Sequence, residues 1–119
     1  MAVGIRGWAI LFFLLFVVAA AVQWNDPDPL VWILTYATGA ALSLAAAIGH
    51  PLPRVTGAAG LVFGLAFVSS AASLVDAPTA AFTSFGMRAP VHEAPREAAG
   101  LGLLCAWTVF LAWRTRPRA

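Results

Sequence analysis

Apolar residues along this chain come in long unbroken runs, separated by short clusters of charge and proline. From Gly7 to Asn25 there are 19 residues without a charge, from Pro29 to Pro53 there are 25, and from Val55 to Val75 there are 21. A fourth run, Ala98 to Trp113, has 16. Crossing the hydrocarbon of a bilayer takes about 20 mostly apolar residues as a helix, because no water is there to satisfy the backbone. The last run is short for a span, so its helix must start near Pro95 and carry charged residues into the interface. The pattern predicts an all-α membrane protein, a four-transmembrane-helix bundle. It forms one domain, 1–119, with helices at about 5–23, 29–49, 55–75 and 95–113.

The breaks carry their own chemistry. Pro27 and Pro29 end the first helix and start the second, and His50-Pro-Leu-Pro-Arg54 is a tight turn with two helix breakers. The remaining connections, 24–28 and 76–94, fall on the same side. The longer one mixes Pro78, Gly86 and Pro90 with Phe82, Phe85 and Met87, a composition suited to lying on a membrane surface.

Composition narrows the class. Of 119 residues 61% are hydrophobic and 10% charged, against about 45–50% and about 25% in soluble domains. Twelve charges cannot coat a soluble monomer, and so apolar a chain is not disordered. Nucleic-acid binding is excluded because the net charge is only +2 and no basic stripe exists. Cys105 is the lone cysteine, in an apolar run where a thiol behaves as a small hydrophobe.

Charge position says more than charge count. With the ends numbered alternately, one side holds Arg6, Arg54, Arg114, Arg116 and Arg118 and no acid. The other holds Arg88 and Arg96 with Asp26, Asp28, Asp76, Glu93 and Glu97. The positive-inside rule then places both termini in the cytoplasm, an N-in/C-in arrangement expected in a bacterial plasma (inner) membrane, with loops 24–28 and 76–94 outside. Trp8 and Trp113 near one boundary and Trp24 and Trp32 near the other suit aromatic belts. A rival reading takes Arg6, the apolar run and Ala19-Ala20-Ala21 as a cleavable signal peptide. It is weakened because the apolar run continues to Trp24 and the next helix follows at once.

Helices in lipid associate through small residues that allow close approach. Gly39 in the second span, Gly57, Gly60 and Gly64 in the third, and Gly100 in the fourth are the expected packing positions; Gly60 to Gly64 is a GxxxG. Packing inside one bundle is the leading use, a homo-oligomer interface the other. Ser69, Ser70 and Ser73 are expected to bond back to their own helix carbonyls.

The polar candidates lie in the two outer segments. Asp28 is a natural N-cap and Pro29 a natural first residue for the second helix, while Asn25 and Asp26 suit Asx turns. In the second segment Glu93 and Glu97 share a helix face, as do His92 and Arg96. Glu97 precedes the 16-residue uncharged run, and an ionisable group at such depth is a functional candidate. Asn25, Asp26, Asp28, His92, Glu93, Arg96 and Glu97 therefore form a candidate outer polar site. Its oxygen ligands and one imidazole suit a divalent cation, but no metal-binding spacing is present and two arginines in these loops can satisfy the carboxylates. No metal, cofactor or catalytic residue is expected.

Gln23-Trp24-Asn25-Asp26-Pro27-Asp28-Pro29, followed by Trp32 and Tyr36, resembles the signature of the transmembrane protein 220 family. Glu93, Arg96, Glu97, Gly100 and Leu101 resemble its second element, which opens the last helix. The resemblance spans nearly the whole chain. It implies a small four-helix membrane protein with function in the paired outer loops, and it supplies no reaction. Three functions follow in order. The first is a non-catalytic bundle that assembles with or stabilises a membrane-protein partner. The second is binding or transport of a cation or small amine at the outer polar site. The third is an enzyme working on a lipid head group with Glu97 or His92 as base; nothing in the chain nominates its nucleophile.

Overall fold

The structure, a computed structural model, describes residues 3–25, 29–70 and 93–117. Among them the chain is all-helical: α1 is Val3–Val22, α2 Pro29–Ala47, α3 Pro53–Ser70 and α4 Glu93–Thr115. All four are long and apolar enough to cross a membrane. Boundaries differ from the charge-gap reading by about two residues, because helix ends are set by caps. Pro29 and Pro53 each occupy the first position of a helix, where a missing N–H costs nothing and the fixed φ suits the turn. The stretch 71–75 assigned to the third span lies outside the described residues, as do Ser73 and the segment 76–92. Ser69 and Ser70 do bond back, donating to the Leu65 and Ala66 carbonyls at 2.9 Å each.

One cap was not read from the sequence. α2 ends at Ala47 rather than Gly49 because Gly49 takes φ = 89°, a left-handed conformation that glycine adopts without a Cβ penalty. The His50 N–H donates to the Ala45 carbonyl at 2.9 Å and the Gly49 N–H to that of Ala46 at 3.1 Å, the paired bonds of a Schellman cap. The Arg6 guanidinium rests here, since a Cβ added at Gly49 would lie 2.8 Å from Nη2. A cation beside a helix C-terminus is favourable.

The helices form two antiparallel hairpins, α1 with α2 and α3 with α4. In the first, Arg6 meets Gly49 and Phe16 meets Gly39. In the second, Gly57 faces Ala112, Gly60 faces Thr108 and Val109, Gly64 faces Cys105, and Phe67 faces Gly102. Each rung advances one helix while retreating along the other, so the register of both hairpins is plain. The hairpins meet where α2 and α4 run parallel, with Tyr36 against Gly100, Gly39 against Leu104 and Ser43 against Trp107. Gly39, Gly57, Gly60, Gly64, Gly100 and Gly102 thus face partners within the bundle, whereas Gly4 and Gly7 face open space.

The core follows the same lines. Ala9, Phe16, Ala46, Leu104 and Leu111 are almost wholly buried. Polar groups inside are bonded: Thr56 donates to the Leu52 carbonyl at 2.7 Å, and Thr108 to that of Leu104 at 2.6 Å. The Trp107 indole N–H donates to Ser43 Oγ at 2.9 Å across the two hairpins, and Ser43 in turn donates to the Gly39 carbonyl at 2.8 Å. In lipid-embedded bundles such interhelical bonds contribute about 0.6 kcal/mol on average and up to roughly 1.7. Ser43→Ala leaves the buried indole N–H without its acceptor and is expected to cost about 1 kcal/mol. Unfolding in mixed micelles, followed by circular dichroism, reads this directly; a variant as stable as the parent would show the bond to be idle.

Candidate functional site

The parallel run of α2 beside α4 places both helix N-termini at the same end of the bundle. Tyr36 and Gly100 each sit two helical turns in from those starts, at Pro29 and Glu93. There the Tyr36 hydroxyl fills the space where a Gly100 side chain would stand. That contact fixes how the first turns of α2 and α4 lie beside each other.

The candidate residues divide accordingly. Asp26, Asp28 and His92 lie outside the described residues. Asn25 closes a short 3₁₀ turn, Gln23–Asn25, that extends α1, and Glu93 opens α4. Arg96 and Glu97 are on the first turns of α4, both half-buried and both engaged with neighbours. Among the described residues no three His, Cys, Asp or Glu come together as a metal cluster would.

Two residues at this end were not singled out as site candidates. Gln23 is buried, and its Nε2 donates to the Ala19 carbonyl at 3.0 Å, folding the side chain back on α1. Tyr36 is buried with its ring 6.3 Å from that of Phe16. Its position seven residues after Pro29, in a helix otherwise rich in alanine and leucine, was the available signal; which helix it would meet depends on hairpin packing and could not be read from spacing. Trp24, by contrast, is three-quarters exposed.

At the opposite end the charged residues among those described are all arginine: Arg6, Arg54, Arg114 and Arg116, each exposed. Between the two ends runs a ladder of rings. Tyr36, Phe16 and Phe12 follow one another at 6.3 and 5.8 Å between centroids. Phe12 stacks on Trp107 at 4.2 Å and 10°, and Phe110 and Trp113 continue at 6.1 and 6.2 Å. The Arg114 and Arg116 guanidiniums lie over Phe110 and Trp113 at 5.9 and 5.6 Å, within the range of cation–π attraction.

A model of the family described as transmembrane family 220, helix, matches residues 15–113. That region takes in both polar segments and most of the aromatic ladder. No curated protein and no solved structure gives a significant match.

Proposed function

The chain belongs to transmembrane family 220, and from that membership we propose that it is a non-catalytic bundle that assembles with or stabilises a membrane-protein partner through its polar end. The observation behind this reading is the Tyr36–Gly100 contact. It ties the starts of α2 and α4 into one platform, and the first turns of α4 carry Glu93, Arg96 and Glu97. The bundle interior is meanwhile filled by apolar side chains and internally bonded hydroxyls, as suits a scaffold. In this reading both termini are cytoplasmic, the membrane is a bacterial plasma membrane, and the polar end faces outward, following the bias of arginine to one side.

A photo-crosslinking amino acid tests the assignment in the source cell. Placed at Trp24 or Leu30, at the polar end, it is expected to give a discrete adduct with one membrane protein; placed at Leu52, at the arginine end, it is expected to give none. Recovery of the uncrosslinked protein alone from every position would remove this reading.

A second reading, binding of a cation or small amine, draws on the gathering of all five acids in the segments at this end. Calorimetry with divalent metals and polyamines, repeated on Asp26→Asn and Glu97→Gln, separates it from the first: heat lost in those variants favours a ligand site.

A further inference from the structure

Between α1 and α4 lies an open groove of about 300 Å³ lined by Trp8, Phe12, Leu103, Ala106, Trp107 and Phe110. Its walls are almost entirely apolar. Three of the α4 residues, Leu103, Trp107 and Phe110, follow one another at spacings of four and three and so share a helix face. Four residues further along that face comes Arg114, whose guanidinium lies over the Phe110 ring at 5.9 Å. The groove therefore runs along the bundle to a cation at its mouth. At that end four exposed arginines stand without a single carboxylate among the described residues.

We infer that this groove seats one acyl chain of an anionic phospholipid whose phosphate pairs with Arg114. The charge at the mouth selects the occupant. A second copy of the chain would bring the same arginines against these, and like charges repel. A helix, about 10 Å across, could put only side chains into a space of this size, whereas a methylene chain lies within it. From Leu103 to Phe110 the groove is roughly 10 Å long at 1.5 Å per residue, so it holds part of one chain below a headgroup at the interface. Basic residues beside grooves between membrane helices bind lipid phosphates in this way. Trp8, more than half exposed at the groove's edge, and Trp113 flank the mouth at the level where interfacial aromatics sit.

The test uses the full chain in phosphatidylcholine vesicles containing a minor fraction of brominated lipid, which quenches tryptophan on contact. Brominated phosphatidylglycerol is expected to quench at least about threefold more than brominated phosphatidylcholine at the same mole fraction. Arg114→Gln is expected to abolish that preference, while Arg6→Gln and Arg54→Gln, on helix faces away from the groove, keep most of it. Ala106→Phe, which fills the groove without touching the charge, is expected to reduce quenching by either lipid. Circular dichroism and gel filtration confirm that each variant keeps the parent's fold. Equal quenching by the two lipids overturns the inference. So does a preference lost equally in all three arginine variants, which would mean general surface attraction. A dimer in which the groove tryptophans are shielded from both lipids would assign the groove to a second copy and overturn it too.

Discussion

Gly100→Ala is expected to be the most damaging single methyl in the molecule. A Cβ at this position would collide with the Tyr36 hydroxyl, and Tyr36 Cζ would lie 2.8 Å away. A clash with the tip of a mobile side chain is cheap, but Tyr36 is a rigid ring, buried and in contact with Phe16. Its hydroxyl moves only if the ring moves. Swinging it outward would vacate the seam between the hairpins, leaving a cavity. Overpacking of this kind costs about 3 kcal/mol, and the gain in helix propensity from glycine to alanine returns about 1. The net loss expected is about 2 kcal/mol in unfolding from mixed micelles. The cause is checked by a double-mutant cycle with Tyr36→Leu, in which the methyl finds room. The Gly100 penalty should then shrink by most of its value, a coupling that residues out of contact do not show. An undiminished penalty would place the damage elsewhere on α4. Because the contact also sets the polar end, crosslinks from Trp24 should weaken in Gly100→Ala and recover in the double variant.

What the linear sequence revealed, and what it hid, follows from range. The helices were legible because charge is intolerable within hydrocarbon, so gaps between charges measure spans. The glycines were legible as points of close approach, but a glycine carries no mark of its partner. Gly39 meets both Phe16 and Leu104, and Gly102 accepts the Phe67 ring, pairings that depend on how two hairpins dock. The cap at Gly49 hid for a different reason. Its positive φ is one residue's conformation, and the His50-Pro-Leu-Pro break beside it was signal enough to explain the turn. The aromatic ladder is longer-range still, since Phe12 and Trp107 stack from opposite ends of the sequence. Of the polar site, the sequence named Arg96 and Glu97, which lie half-buried on the first turns of α4. It assigned Tyr36 a place only through family resemblance, because a lone tyrosine in an apolar span reads as core. Asp26, Asp28 and His92 lie outside the described residues.

The third helix supplies the second large effect and decides how its GxxxG is used. Gly57, Gly60 and Gly64 all face α4, yet at different distances. A Cβ at Gly57 would stand 3.7 Å from the Ala112 Cβ, an ordinary contact. At Gly64 it would meet the Cys105 sulfur at 3.1 Å, a soft neighbour with some room. At Gly60 it would fall 2.8 Å from Val109 Cγ2, 3.0 Å from Thr108 Oγ1 and 3.4 Å from the Val109 backbone nitrogen. Neither neighbour yields easily. Thr108 is fully buried and bonded to the Leu104 carbonyl, and backbone moves only with the whole helix. Gly57→Ala is therefore expected to be neutral or to stabilise by up to about 1 kcal/mol through helix propensity. Gly64→Ala should cost little, since that gain offsets a small adjustment of the sulfur. Gly60→Ile should cost about 3 kcal/mol or more, because four added carbons must enter a seam sized for a hydrogen. The ranking separates two uses of the motif. If Gly60 and Gly64 lined a contact between copies, substitutions at either would dissociate an oligomer, and the loss would depend on protein-to-detergent ratio. With the seam inside one chain, the order is Gly60 far above Gly64 and Gly64 above Gly57, and the midpoint of unfolding stays the same when the protein is diluted.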